Sequence, residues 1–196
     1  MPAPDPDFPL WQKLQQGDDS ALDALMDRHR GGLFNFIYRY VLNEQDARDL
    51  LQETFVRAYF KRHQFQPRAK VSTWLYRIAL NLCRDHARSR STKEGKLTES
   101  LVIRSEEGEE RERDIAGKSG NPAEIAQTNE ALLGMERAIL ALPHDLKAAF
   151  ILAILEARSQ QECAELLGIT VKAVETRVYR ARKILKGKLA SYRSPR

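Results

Sequence analysis

A stretch near the middle of the chain, one that cannot enter a hydrophobic core, sets the strongest limit on how this sequence folds. Between Thr92 and Pro122 there are eight acids (Glu94, Glu99, Glu106, Glu107, Glu109, Glu110, Glu112 and Asp114), six bases and no aromatic residue. Leu101-Val102-Ile103 is its one apolar run. Burying so little apolar surface does not offset the entropy of ordering the chain, so this stretch reads as a flexible acidic linker. Whatever folds does so on either side of it, in two small units.

Both flanks carry helical periodicity. In the first, Asn43 is a good N-cap, Glu44 and Asp46 lie in the first turn where the helix dipole favours acids, and Ala47, Leu50, Leu51, Phe55, Ala58 and Tyr59 form one stripe. A loop from Gln64 to Lys70 holds Pro67, after which Val71 or Ser72 opens another helix. There Val71, Trp74, Leu75, Ile78, Ala79, Leu82, Cys83 and His86 fall on one face. Upstream, residues 8–30 read as a helical segment broken at Gly17-Asp18-Asp19-Ser20, and Gly31-Gly32 predicts an interruption or kink before residues 33–41. Past the linker, Asn121-Pro122 opens a helix through Ile125, Leu132, Leu133, Met135, Ile139 and Leu140 that ends at Leu142-Pro143. Asp145 then caps residues 146–155, apolar nearly all round and therefore central. The expected fold is all-α: two small helical domains, residues 8–91 and 122–191, joined by the linker at 92–121.

The C-terminal end carries the clearest chemistry. Gln160 to Leu167 form a short helix, Gly168 suits the left-handed residue that ends it, and Thr170 caps the next. In that next helix Val171, Val174, Val178, Ala181 and Leu185 make a packing stripe, while Lys172, Thr176, Arg177, Tyr179, Arg180 and Lys183 lie elsewhere on its surface. This is a helix-turn-helix with its second helix placed for a DNA major groove. Helix, glycine, helix is common in all-helical proteins, and basic faces are often merely solvated. Neither fact explains the crowding here, since residues 170–196 hold nine Lys or Arg against Glu175 alone. Residues 57–90 likewise hold nine against Asp85 alone, so a net charge of +5 hides two cationic segments and an acidic remainder. That pattern suits a polyanion plus a protein partner rather than a membrane surface. In the first unit Thr73, Tyr76, Arg77, Asn81, Arg84 and Arg88 fall away from the apolar stripe and offer hydroxyl, ring, amide and guanidinium groups to phosphates and unstacked bases.

Other classes find no support. No apolar run approaches the ~20 residues that span a bilayer, and the acidic, proline-rich N-terminus is unlike a signal peptide, so a cytoplasmic protein without membrane insertion is expected. Cys83 and Cys163 read as small core residues, and Cys83-Arg84-Asp85-His86 lacks the second pair of ligands a zinc site needs. Neither a phosphate-cradling glycine loop nor a nucleophile with its base is evident, so no cofactor, no metal and no catalysis are expected.

Three motifs in order, Asp46-Ala47-Arg48-Asp49-Leu50-Leu51-Gln52-Glu53-Thr54-Phe55-Val56-Arg57-Ala58-Tyr59, Ser72-Thr73-Trp74-Leu75-Tyr76-Arg77-Ile78-Ala79-Leu80-Asn81 and Val174 through Arg182, resemble those of a bacterial extracytoplasmic-function (ECF) sigma factor, a group of the sigma-70 family. The resemblance implies a region 2 domain, a connector and a region 4 domain that bind core RNA polymerase and direct it to promoters, commonly under an anti-sigma factor. It implies that Asp49, Gln52 and Glu53 meet the clamp helices of the largest polymerase subunit, with the second domain on the flap. It places Phe65, Arg68, Lys70, Val71, Trp74, Arg77, Asn81, Arg84 and Arg88 at the −10 element, where a base is unstacked into a loop pocket. Trp74 fits the core stripe equally well. Lys172, Thr176, Arg177, Tyr179, Arg180 and Lys183 fall at the −35 element. Val71 stands where an aromatic is common, Glu175 where a basic or small residue is, and Cys163 where an aliphatic is. The first departure implies a reshaped −10 pocket and the second an altered −35 preference. A monomer is expected when free. The competing reading is a helix-turn-helix regulator that dimerises through its N-terminal helices and binds a palindrome.

Overall fold

Trp11 is the residue around which the first half closes. The computed structural model describes residues 5–67, 69–100 and 132–192, with side chains for all of these except 91–100 and 191–192. In it Trp11, on α1 (Phe8–Gln15), is fully buried, its ring centroid 5.4 Å from Phe65 and 5.0 Å from Trp74. The third edge of this triad, Phe65 to Trp74, is 5.7 Å. The indole N–H donates to the Arg62 carbonyl at 3.2 Å and the Gln15 amide to the same oxygen at 2.7 Å. A short 3-10 turn, Arg62–Gln64, is thereby fixed under α1.

Helix α2 (Ser20–Val41) runs unbroken through Gly31-Gly32, where an interruption or kink is expected from the sequence. The glycine serves a close approach instead: a Cβ at residue 32 would lie 2.8 Å from the Tyr76 hydroxyl. Asn43 caps α3 (Glu44–Phe60) as expected, its side-chain oxygen accepting from the Asp46 N–H at 3.0 Å. Helix α4 opens at Val71, whose N–H donates to the Asp5 carboxylate at 2.6 Å, and carries on to Ser100. It thus passes residue 91, the end expected for the first unit, and the rest of the expected linker together with Ile125 lies outside the described residues. Asp7 is buried between Arg28 and His29, at 2.9 and 2.8 Å, so the acidic N-terminal segment is part of the packing.

The second half holds α5 (residues 132–140), α6 (His144–Phe150), a π-helical turn (Ile151–Leu155), α7 (Gln160–Leu167) and α8 (Val171–Tyr192). Asp145 does not cap α6. Pro143 holds that position, which leaves the Asp145 carboxylate in the first turn and facing outward. Ala138, Ile139, Leu142, Phe150, Ala181 and Leu185 form a local core. Gly168 (φ +66°) ends α7, the Thr170 hydroxyl accepts from Ala173 N–H at 3.2 Å, and Ser159 with Glu162 makes a reciprocal capping box. All regular structure among the described residues is helical.

The halves do not stand apart. Ile151, Leu152, Cys163, Leu166 and Val174 belong to the same buried cluster as Leu33, Phe36, Leu80 and Cys83. Arg39 of α2 donates to the Leu155 carbonyl at 2.9 Å and pairs with Glu156. The Tyr40 hydroxyl and His144 Nδ1 are hydrogen-bonded at 3.0 Å with the two rings stacked, while the buried Lys147 ammonium sits 5.0 Å above the Tyr40 ring. Burial lowers the Lys147 pKa, and the ring face offsets part of that desolvation cost.

Candidate nucleic-acid interface

The recognition helix α8 presents what its sequence promises. Val174, Ala181 and Leu185 are buried, and Lys172, Thr176, Tyr179, Arg180 and Lys183 are exposed, Tyr179 at 69%. The Thr176 hydroxyl is turned back onto the Lys172 carbonyl at 2.9 Å, and Lys172 pairs with Glu175 at 2.9 Å. Glu175 therefore neutralises a neighbouring cation and, with Tyr179, Arg182, Ser159 and Gln160, lines a cleft of about 440 Å³ between the two helices of the motif. Arg177 differs from its neighbours: it is half-buried and reaches Asp145 at 3.4 Å.

The surface of α4 is less open than its pattern suggests. Arg77, Asn81 and Arg88 are exposed, but Thr73 and Tyr76, which periodicity assigns to the solvent face, are buried. The Tyr76 ring packs on Phe36 of α2, 5.4 Å between centroids, and under the Arg158 guanidinium of the second half at 4.3 Å. Arg77 donates to the Glu165 carbonyl at 2.6 Å and Arg84 pairs with Asp145 at 3.0 Å. Before α4, Lys70 is exposed whereas Phe65 and Val71 are buried and Trp74 is half-buried. These three shape the loop from beneath. Arg68 lies outside the described residues.

On α3, Asp49 and Gln52 are exposed and half-buried Glu53 pairs with Arg57 at 2.7 Å. Beside them α2 and α3 bound an open groove of about 790 Å³, lined by Leu22, Met26, Leu51, Phe55 and the exposed Val56 and Phe60, with Gln52 on its edge. Val56 and Phe60 escaped the sequence reading, although positions 52, 56 and 60 recur at helical spacing. An apolar groove with a mixed polar rim of Asp19, Asp23, Arg30, Arg48 and Gln52 suits a protein partner. The two cysteines are inert: burial pushes the Cys83 thiol up to about 12 and the Cys163 thiol up to about 11. Among the described residues no group of three or more His, Cys, Asp or Glu is arranged to hold a metal ion. No described helix is long and apolar enough to cross a membrane.

Known families match both halves in order. Residues 25–92 match sigma-70 region 2 and residues 132–185 match sigma-70, region 4. The RNA polymerase sigma-H factor of Pseudomonas aeruginosa is 31% identical over 91% of this chain and 91% of its own length. The chain is an ECF sigma factor of the sigma-70 family. The ECF sigma factor SigW of Bacillus subtilis is 30% identical over 91% of the chain and 94% of its own length. Among solved structures, CnrH in complex with the cytosolic domain of CnrY superposes with a TM-score of 0.64 at 26% identity, covering 96% of this chain and 99% of that one. RpoE from Bartonella quintana, in complex with the anti-sigma factor NepR, shares the fold at a TM-score of 0.58 and 21% identity, over 86% of this chain and 96% of that one.

Proposed function

We propose that this ECF sigma factor docks on core RNA polymerase through α3, places α4 and the loop before it on the −10 element and α8 on the −35 element, and so sets where transcription begins. The observation that carries this reading is one chain bearing two cationic helical faces and, on a third helix, exposed Asp49 and half-buried Glu53 together with an apolar groove that has Gln52 on its edge. The groove widens the expected polymerase contact to Val56 and Phe60. Thr176, Tyr179 and Arg180 face base edges while Lys172 and Lys183 take phosphates, which fix register without reading sequence. Asn81, Arg84 and Arg88 face the −10 strand over the aromatic platform beneath the loop. The factor performs no chemistry of its own, works in the cytoplasm where polymerase and chromosome meet, and is held in check by an anti-sigma factor.

Co-purification with bacterial core polymerase, followed by in vitro transcription from a genomic-fragment library, tests this. The expected result is a complex that starts at a shared two-box sequence, from which Asp49→Ala with Glu53→Ala removes about tenfold in polymerase affinity while helix content stays the same. A free protein that ignores polymerase but binds a palindrome tightly would hand the function to the dimeric regulator.

A further inference from the structure

The loop before α4, assigned to the −10 element, is held at both ends by the N-terminal segment. At its start the Arg62 carbonyl accepts from the Trp11 indole at 3.2 Å and from the Gln15 amide at 2.7 Å. At its end the Asp5 carboxylate accepts from the Val71 N–H at 2.6 Å through Oδ2. Among the described loop residues between these points only Phe65 is buried, and Gln66, Pro67 and Lys70 are exposed. The Val71 N–H is one of the donors that no carbonyl within α4 can satisfy. Lys70, the residue before the helix, has a side chain that only donates, so the acceptor has to come from elsewhere in the chain. Asp5 supplies it from 66 positions away, and its charge suits the positive end of the helix dipole.

Asp5 is itself held in place. Its Oδ1 accepts from the Asp7 N–H at 3.2 Å, and its carbonyl accepts from the Phe8 N–H at 3.2 Å where α1 begins. Pro6 disfavours a helical backbone at Asp5, and the buried Asp7 fixes the segment to α2 through Arg28 at 2.9 Å and His29 at 2.8 Å. We propose that Asp5 is a positioning residue for −10 recognition: it sets where α4 begins, and so the shape of the loop that captures the unstacked base, from a segment to which no DNA contact is assigned. The inference rests on the promoter assignment above. A loop already in its binding shape loses less freedom on capture, which leaves more of the binding energy to offset unstacking. Released at one end, the loop spends part of its time in other shapes, and apparent capture falls with the competent fraction.

The test uses the full-length protein in holoenzyme and compares Asp5→Ala with Asp5→Asn, whose amide oxygen still accepts from the Val71 N–H. Initiation is measured from templates in which each −10 base, and then each −35 base, is replaced in turn. Asp5→Ala is expected to lower discrimination at the captured −10 base roughly fivefold, the scale of one lost capping bond. Discrimination at the −35 box and affinity for core polymerase should stay within about twofold of wild type, because α8 and α3 lie apart from this contact. Loss of a negative charge near DNA would by itself tighten binding, an effect of opposite sign. Asp5→Asn should remain within about twofold of wild type at both boxes, since asparagine caps as well as aspartate. Unchanged −10 discrimination in Asp5→Ala would overturn the proposal. So would equal losses at both boxes, the mark of general destabilisation. Asp5→Asn as defective as Asp5→Ala would place the effect on charge rather than on the bond, and would overturn it too. Failure of the promoter assignment would appear separately, as wild-type holoenzyme that does not initiate.

Discussion

The outer faces of α8 and α4 make an instructive pair, since both are cationic helix surfaces assigned to DNA and only one is open to solvent. On α8 the assigned side chains other than Arg177 are exposed, and the helix is positioned by its own capping residue, its local core and, through Val174, the shared cluster. On α4 two arginines are engaged by the other half, and the loop ahead of the helix rests on Trp11 and Phe65. A face that packs only on local elements can be read from its own sequence. One that depends on distant elements cannot.

The largest effect expected on this contrast comes from the platform. Trp11→Ala should cost about 3–5 kcal/mol of folding stability, because removing a fully buried indole leaves a cavity and takes away one of the two hydrogen bonds to the Arg62 carbonyl. Denaturant unfolding measures it. A loss below about 1 kcal/mol would show that the −10 loop does not lean on α1. Next, Arg180→Ala should lower base discrimination at one −35 position by about 1–3 kcal/mol in holoenzyme transcription. A uniform loss across all sequences would make Arg180 a phosphate contact. The smallest effect concerns pH. Burial, then the Lys147, Arg88 and Arg84 charges, hold the His144 pKa below the ordinary histidine range, with Asp145 opposing. The closed form, with the halves packed together, therefore prefers neutral His144, hydrogen-bonded to the Tyr40 hydroxyl. With the open form free to protonate near an ordinary pKa of about 6.5, closure should be unaffected well above that pH and weaken as pH falls through it. Scattering at pH 8 and pH 5.5 tests this, and a response that survives His144→Gln would rule out His144 as its source.

Much of the fold was legible because its signals are local. Asn43, Gly168 and Thr170 do what their residue types dictate at helix ends, and the stripes of α3, α4 and α8 bury as spaced. What escaped was long-range. Periodicity says which residues share a face of α4 but not what lies over it, so Thr73 and Tyr76 read as solvent-facing when both are buried, Tyr76 under Arg158 of the second half. Likewise an aspartate in an acidic, proline-rich start gives no local hint that Asp7 is buried between Arg28 and His29, partners two helical segments away. Asp145 misled for a different reason: an acid near a helix start has two uses, capping or pairing outward, and Pro143 had already taken the first position.

The pairing of Gly32 with Tyr76 carries an evolutionary consequence. A methyl group at residue 32 would sit 2.8 Å from a hydroxyl whose ring is itself buried under Arg158. Variation at the two positions should therefore be coupled across related sequences, alanine or larger at 32 appearing with phenylalanine or a smaller residue at 76. Because the Tyr76 ring also lies under Arg158, a substitution at residue 32, exposed on α2, would transmit its effect through Tyr76 to how the halves meet.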